Sequence, residues 1–188
     1  GEHPMLVQQK IRQAASILKE FDIDCWITFV RESAVNGDPV LQFLVAADVT
    51  WHSAFVITPD GEARAVVGQY DKKAVEDLRA YTHVEGYVEG IRKPLQSILR
   101  PLSPRRIALN FSRDSEICDG LTHGMYLTMV DILQEIGLAD RIVSAEKIVS
   151  ALRQRKIEYE VAAICRAIEA TQDIFRAVQT FITPGVTE

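Results

Sequence analysis

Trp51 and His52 stand side by side where a loop-rich stretch gives way to an alternating apolar run. An indole offers a face for stacking, and an imidazole offers a proton or a hydrogen bond near neutral pH. The pair could line a pocket, or it could be a half-buried strand end with a solvated ring. Other arrangements promise less. Cys118 and His123 are the only cysteine and histidine close in sequence, and no Gly-x-Ser-x-Gly turn presents a nucleophile. His83 and Glu85 would share one face of a strand, a spacing too common to mark a metal site. No two of His3, His52, His83 and His123 sit four apart, and His-Glu-x-x-His is absent. Asp114, Glu116 and Asp119 lack the oxygen spacing of a calcium loop and read as a turn with a helix cap. Gly-rich phosphate loops are missing as well. No catalytic constellation is complete, so no catalytic residue and no metal ligand is expected here, and Trp51 and His52 are the candidate site residues.

Bulk properties narrow the partners. The 188 residues are 47% hydrophobic and 25% charged, with a net charge of −5. A surface of that sign disfavours nucleic acid, whose phosphates need cations. No apolar run approaches the ~20 residues of a membrane span. Cys25, Cys118 and Cys165 are far apart and form no Cys-x-x-Cys pair, which fits reduced thiols in a cytoplasmic protein.

The elements that must position these residues emerge from periodicity. Met5–Phe21 is an amphipathic helix with Leu6, Ile11, Ala14, Ala15, Leu18 and Phe21 inward. CWITFV is a buried strand, and RESAVNGDP (Arg31–Pro39) is a loop by composition. VLQFLVAA reads as either strand or short helix. Ser53–Thr58 and Ala63–Val67 form a hairpin around Pro59-Asp60-Gly61. Tyr70–Ala80 is helical, THVEGYVEG holds a short strand, and Pro94 opens a helix that Pro101–Arg106 ends. A strand at RIALNF, a polar turn at Ser112–Gly120, a helix over Leu121–Ile136 and a short strand at RIVSA complete the pass. Strands alternating with helices predict an α/β fold with a helix-flanked sheet, and the hairpin requires that sheet to be mixed.

The last stretch differs in kind. Ile157, Val161, Ile164, Ile168, Phe175 and Val178 recur at helical spacing from Lys156 to about Thr183, with Thr171 and Ile174 near the same stripe. Some 27 residues would make a helix about 40 Å long. Its apolar face is too large for a tail, and each buried side chain would contribute ~1.5–3 kcal/mol against a suitable surface. The expected boundary before it gives domains 1–152 and 153–188.

On these residues the chain resembles the creatinase/prolidase/aminopeptidase P metallopeptidase family. In that family a smaller N-terminal α/β domain ends in a pattern matched here by Arg153, Lys156, Glu160, Ile164 and Ala167. That pattern opens the first helix of a pita-bread catalytic domain. A Pro-Gly-x-Thr-Glu turn after the helix is matched by Pro184, Gly185, Thr187 and Glu188. The order of helix, CWITFV, loop and hairpin is similar to the family's layout. Two departures stand out: Val45-Ala46-Ala47 replaces a Thr-Gly-Phe-like turn, and Ile157-Glu158 comes after Lys156 where many relatives have Ser-Pro or Asp.

The resemblance implies a creatinase/prolidase-like N-terminal domain (1–152) and the first helix and turn of a truncated catalytic domain (153–188). It implies a full-length Xaa-Pro peptidase with two divalent metal ions, manganese or cobalt, held by two Asp, two Glu and one His beyond position 188. The 188 residues alone would carry no cofactor and be inactive. Their expected work is self-association, as a homodimer or higher oligomer, and shaping the entrance for proline-containing peptides, with Trp51 and His52 reaching the neighbouring subunit's substrate. Two alternatives share the architecture: a creatinase-like amidinohydrolase without metal, and a non-enzymatic peptide- or protein-binding module.

Overall fold

CWITFV becomes the central strand β1 (Cys25–Val30), buried along its whole length. The computed structural model describes residues 2–182 and 185. Pro184, Thr187 and Glu188, which carry part of the family likeness, lie outside the described residues. Two compact units divide the chain, Gly1–Arg155 and Lys156–Glu188.

In the first unit β1 is joined by β2 (Ser53–Ile57), β3 (Ala63–Gly68), β4 (His83–Tyr87), β5 (Ile107–Leu109) and β6 (Ile142–Ser144). The order across the sheet is β4-β3-β2-β1-β5-β6. β2 runs antiparallel to β1 and β3, while the β3–β4, β1–β5 and β5–β6 pairs are parallel. The sheet is therefore mixed, as the hairpin demands. In its turn Gly61 takes φ +91°, and Asp60 accepts from the Thr58 hydroxyl and from Glu62 N–H. With β2 alone reversed, the carboxyl ends of the other five strands and the start of β2 share one edge. That edge holds the candidate site.

Alternation along the strands feeds two cores, because each face of the sheet carries helices. Trp26, Val30, Phe55 and Val67 meet α1 (Glu2–Glu20), α3 (Leu41–Leu44), α4 (Lys72–Asp77) and α7 (Glu146–Gln154). Ile27, Phe29, Val56 and Val66 meet α5 (Arg92–Leu102) and α6 (His123–Gln134). Val7, Ile11, Ala14, Ala15, Ile17 and Leu18 of α1 are buried. So is Lys10, whose ammonium donates to the Leu152 and Arg155 carbonyls at 2.7 and 3.0 Å. These carbonyls close α7, where helix oxygens lack intrahelical partners and carry partial negative charge.

Local differences from the sequence reading have physical causes. Inside the Arg31–Pro39 loop, α2 (Ser33–Asn36) is one helical turn, begun by the Glu32 backbone in the left-handed region. VLQFLVAA resolves into α3, which buries Leu41, Phe43 and Leu44. α5 runs through Pro101 and stops at Ser103, φ +40°, because a proline in the last turn forfeits only one intrahelical bond. α4 is shorter than its apolar stripe, ending at Asp77 before Arg79 at φ +51°. α7 is an element that periodicity did not announce, although it buries Ile148, Val149, Ala151 and Leu152.

The second unit is α8 (Glu158–Phe181), 24 residues and about 36 Å long. Glu160 accepts from the Ile157 N–H at 2.9 Å and so caps its start. Val161, Ile164, Ile168, Phe175 and Val178 are exposed along one stripe.

Candidate functional site

The carboxyl edge is built around two stitched loops. Arg31 comes directly after the last residue of β1, and Glu32 next to it sits at φ 43°, ψ 52°. A non-glycine residue there is strained and persists only when its surroundings fix it. They do: Glu32 N–H donates to Thr50 O and Ser33 N–H to Val49 O, each at 3.0 Å. The Ser33 hydroxyl accepts from Val49 N–H at 2.8 Å and donates to Asp48 at 3.0 Å. The loop after β1 is thereby locked to the loop before β2.

That locked loop presents Trp51 and His52. The indole lies over Gly68 so closely that a Cβ there would fall 2.7 Å from the ring. It meets Tyr70 edge-on at 5.6 Å and leans on Tyr87 at 5.9 Å. Tyr87 donates its hydroxyl to the His52 carbonyl at 2.7 Å. Burial, then the nearby Asp71 carboxylate, pushes the Tyr87 phenol up to about 12, so it remains a donor through the physiological range. The His52 ring stands 5.8 Å from Phe29. Burial and then the positive charge of Arg31 pull its pKa below the ordinary imidazole value. His52 is neutral at pH 7, a hydrogen-bonding ring and not a cation.

Trp51, His52 and Tyr87 border a cleft of about 530 Å³ that also takes in Arg31, Glu32 and Glu89. A second crevice, about 210 Å³, lies between Phe29–Asn36 and Gly120–Met125 and shares Arg31 and Glu32 with the first. Open α/β sheets bind ligands outside the carboxyl ends of their strands, and both hollows lie there. The cleft combines an aromatic wall, one guanidinium, two carboxylates and a neutral imidazole. Such a set of side chains can bind and orient a ligand.

A buried polar network holds the smaller crevice. Asn110, just past β5, accepts from Trp26 Nε1 at 2.7 Å and donates to Thr28 Oγ1 and Asp38 Oδ2 at 3.0 and 2.9 Å. Asp38 also accepts from Val40 N–H at 2.9 Å. Burial, aided by the charge of Asp119, raises the Asp38 carboxyl above its usual value. Gly120 is required at the contact, since a Cβ would lie 2.2 Å from the Asp38 carboxyl carbon. Neither Asp38 nor Asn110 stands out in the sequence, for nothing local marks a loop aspartate as buried. Tyr87 is legible there only as part of a short strand.

The remaining sequence candidates separate. Cys118 is buried, its thiol 3.4 to 3.6 Å from the Ser115 and Ser150 hydroxyls and the Glu146 carbonyl, while His123 is exposed at the start of α6. Asp119 accepts from Ser112 N–H at 3.1 Å, a turn bond. His83 and Glu85 sit on edge strand β4. Among the described residues no three His, Cys, Asp or Glu side chains converge to hold an ion. Among the described residues no helix is long and apolar enough to cross a membrane.

By sequence the chain matches no family model and no curated protein. By structure it is similar to a Xaa-Pro dipeptidase from Bacillus anthracis, with 18% identity over 97% of this chain and a TM-score of 0.57. An X-Pro aminopeptidase from Thermotoga maritima matches 94% of it at 15% identity, TM-score 0.63. The creatinase/prolidase N-terminal domain of an X-Pro dipeptidase from Streptococcus pyogenes is covered to 98% by 77% of this chain, at 14% identity and TM-score 0.54. At such identities the likeness is one of fold. The chain spans about 45% of the length of the Bacillus and Thermotoga proteins, and its architecture is that of a creatinase/prolidase N-terminal domain followed by a long helix.

Proposed function

We propose that the chain is the N-terminal, non-catalytic portion of a Xaa-Pro peptidase of the aminopeptidase P/prolidase kind. Residues 1–152 are its creatinase/prolidase-like domain, and 153–188 open the catalytic domain. One observation carries this reading. An isolated N-terminal domain accounts for 77% of the chain, whereas a whole peptidase extends the match to 97%. The exposed stripe of α8 supports it too, since Val161, Ile164, Ile168 and Phe175 would be covered by the rest of a longer polypeptide.

In this role the domain makes contacts between subunits and shapes the active-site entrance. Trp51 offers a face for an apolar side chain or a prolyl ring, and His52 a neutral hydrogen-bonding edge, to substrate held by the neighbouring subunit. The two divalent ions, manganese or cobalt, that such enzymes use to activate water would be held by residues outside this chain.

Kinetics on the longer protein test the reading. It should cleave Xaa-Pro peptides, lose activity to a chelator and regain it with Mn²⁺ or Co²⁺, while the 188-residue chain alone does nothing. The Trp51→Ala/His52→Ala double variant should lower kcat/KM by about tenfold or more, which is ~1.4 kcal/mol of transition-state binding. A parent without hydrolysis of Xaa-Pro bonds would overturn the assignment. An unchanged kcat/KM in the double variant would remove the two residues from it.

A further inference from the structure

Trp26, Thr28, Asp38 and Asn110 are all buried, and their hydrogen bonds leave no choice of direction. The Trp26 indole nitrogen can only donate, so Asn110 must turn its Oδ1 toward it, 2.7 Å away. The amide nitrogen of Asn110 then faces Thr28 Oγ1 and Asp38 Oδ2. A flip of that amide would set two donors against each other at the indole. Asp38 must therefore accept on Oδ2 from Asn110 and on Oδ1 from Val40 N–H. An ionised carboxylate does both. A carboxylic acid carries its proton on one of the two oxygens, where a donor already points.

The same carboxylate joins two segments of the carboxyl edge. Gly120, in the turn before α6, packs against Asp38 so tightly that a Cβ would lie 2.2 Å from the carboxyl carbon. The chain leaving β1 and the chain entering α6 are the two walls of the 210 Å³ crevice. Nothing positive faces Asp38 from these elements: Asp119 acts on it from the turn before α6, and Asp48 lines the same hollow from the loop before β2. α1 and α3 present Leu6, Leu41 and Gln42 there, none of them titratable. Burial first, with Asp119 adding to it, sets the Asp38 carboxyl above its usual value against the lowering effect of Val40 and Asn110. On acidification the folded chain takes up this proton before the unfolded chain does, so protonation here favours the fold. A change of hydrogen bonding at Asp38 therefore takes place within a folded protein.

We propose that Asp38 and Asn110 form a proton-operated clasp: a proton from solvent bonds to the Asp38 carboxylate, the hydrogen bond from Asn110 Nδ2 to Oδ2 breaks, and the loop after β1 parts from Gly120, widening the crevice. The freed loop carries Arg31 and Glu32, which border both hollows. One buried proton thereby alters the carboxyl edge as a whole.

Acid titration of the 188-residue chain by NMR tests the clasp. The Asp38 carboxyl carbon should titrate above the ordinary aspartate value of about 3.9. The Trp26 indole N–H, the Val40 and Gly120 amides and the Met125 methyl should move with the same midpoint, while the far-UV circular dichroism stays constant. Exchange of the Val40 amide, corrected for its intrinsic pH dependence, should quicken about tenfold across that midpoint, as loss of a bond to a charged acceptor requires. Asp38→Asn should hold the four reporters at their acid positions at every pH. Asp119→Asn keeps an oxygen to accept from Ser112 N–H and removes a charge that raises the Asp38 value. It should preserve both end states and move the midpoint to lower pH. A carboxyl that titrates while the indole and the Met125 methyl stay still would overturn the clasp. So would reporters that move only with global unfolding, a titration that persists in Asp38→Asn, or an unshifted midpoint in Asp119→Asn.

Discussion

α7 and α8 are consecutive in the chain, carry apolar stripes at the same helical spacing, and end in opposite conditions. Ile148, Val149, Ala151 and Leu152 of α7 are buried against the α1 face of the sheet. Val161, Ile164, Ile168, Ile174, Phe175 and Val178 of α8 are all more than 40% exposed. A helical stripe records which side of a helix is apolar and says nothing of what that side meets. The first stripe is satisfied by a sheet built earlier in the chain. The second has the composition of a core and no core within its own unit.

Truncating one residue in each stripe puts numbers on that contrast. Leu152 is fully buried, so Leu152→Ala should cost about 2–5 kcal/mol, the lost transfer energy plus the cavity left behind. Ile164→Ala should stay within about 0.5 kcal/mol in the 188-residue chain, as exposed substitutions do. Urea unfolding of both variants decides. Equal losses would mean that the stripe of α8 is packed in solution and would erase the contrast. In a longer protein whose remaining domain covers α8, Ile164→Ala should move toward the cost of Leu152→Ala.

A second contrast separates the two hollows at the carboxyl edge. The smaller is held by the Asp38–Asn110 network and the larger by aromatic contacts around Trp51. Gly120→Ala would push a methyl group into the Asp38 carboxylate, closing a 2.2 Å gap against a side chain fixed by two hydrogen bonds. Overpacking of this kind costs about 1–3 kcal/mol, and a thermal melt should show it. The amide resonance of His52, across the edge, should hardly move. A melt like that of the unaltered chain would mean that the network yields easily.

The same contrast shows what the sequence could reveal. Strands such as CWITFV and the hairpin around Gly61 are legible because short apolar runs rich in β-branched and aromatic residues, bounded by turn residues, mark strands buried on both faces. The single turn of α2, the passage of α5 through Pro101 and the whole of α7 are not. Short helices owe their existence to tertiary packing more than to propensity, and the nine residues of α7 run straight into the polar stretch Arg153–Lys156, beyond which the much longer stripe of α8 dominates the pattern. At the site, Trp51 and His52 can be picked out by residue type and by position at a strand start. Their setting cannot: Tyr87 arrives from β4, Gly68 from β3 and Arg31 from β1, and only strand order brings these together. Asp38 and Asn110, 72 residues apart, are invisible to local reading for the same reason.

The smallest effect lies within the larger hollow, between His52 and Arg31. His52 titrates below its ordinary value because of burial first and the Arg31 charge second. A histidine with a depressed folded-state pKa contributes stability that is fully present above its unfolded value of about 6.5. That contribution is lost as pH falls through the lower folded value, because the unfolded chain takes up the proton more readily. His52→Gln should therefore flatten the acid side of the stability profile just below pH 6.5 without altering the plateau above it. Arg31→Gln should raise the His52 pKa part of the way back, since it removes the second cause and leaves the first. A proton NMR titration of the ring resolves these cases. A full return to the unperturbed value would make the guanidinium the main influence, and no movement would place its charge too far away to act on the ring.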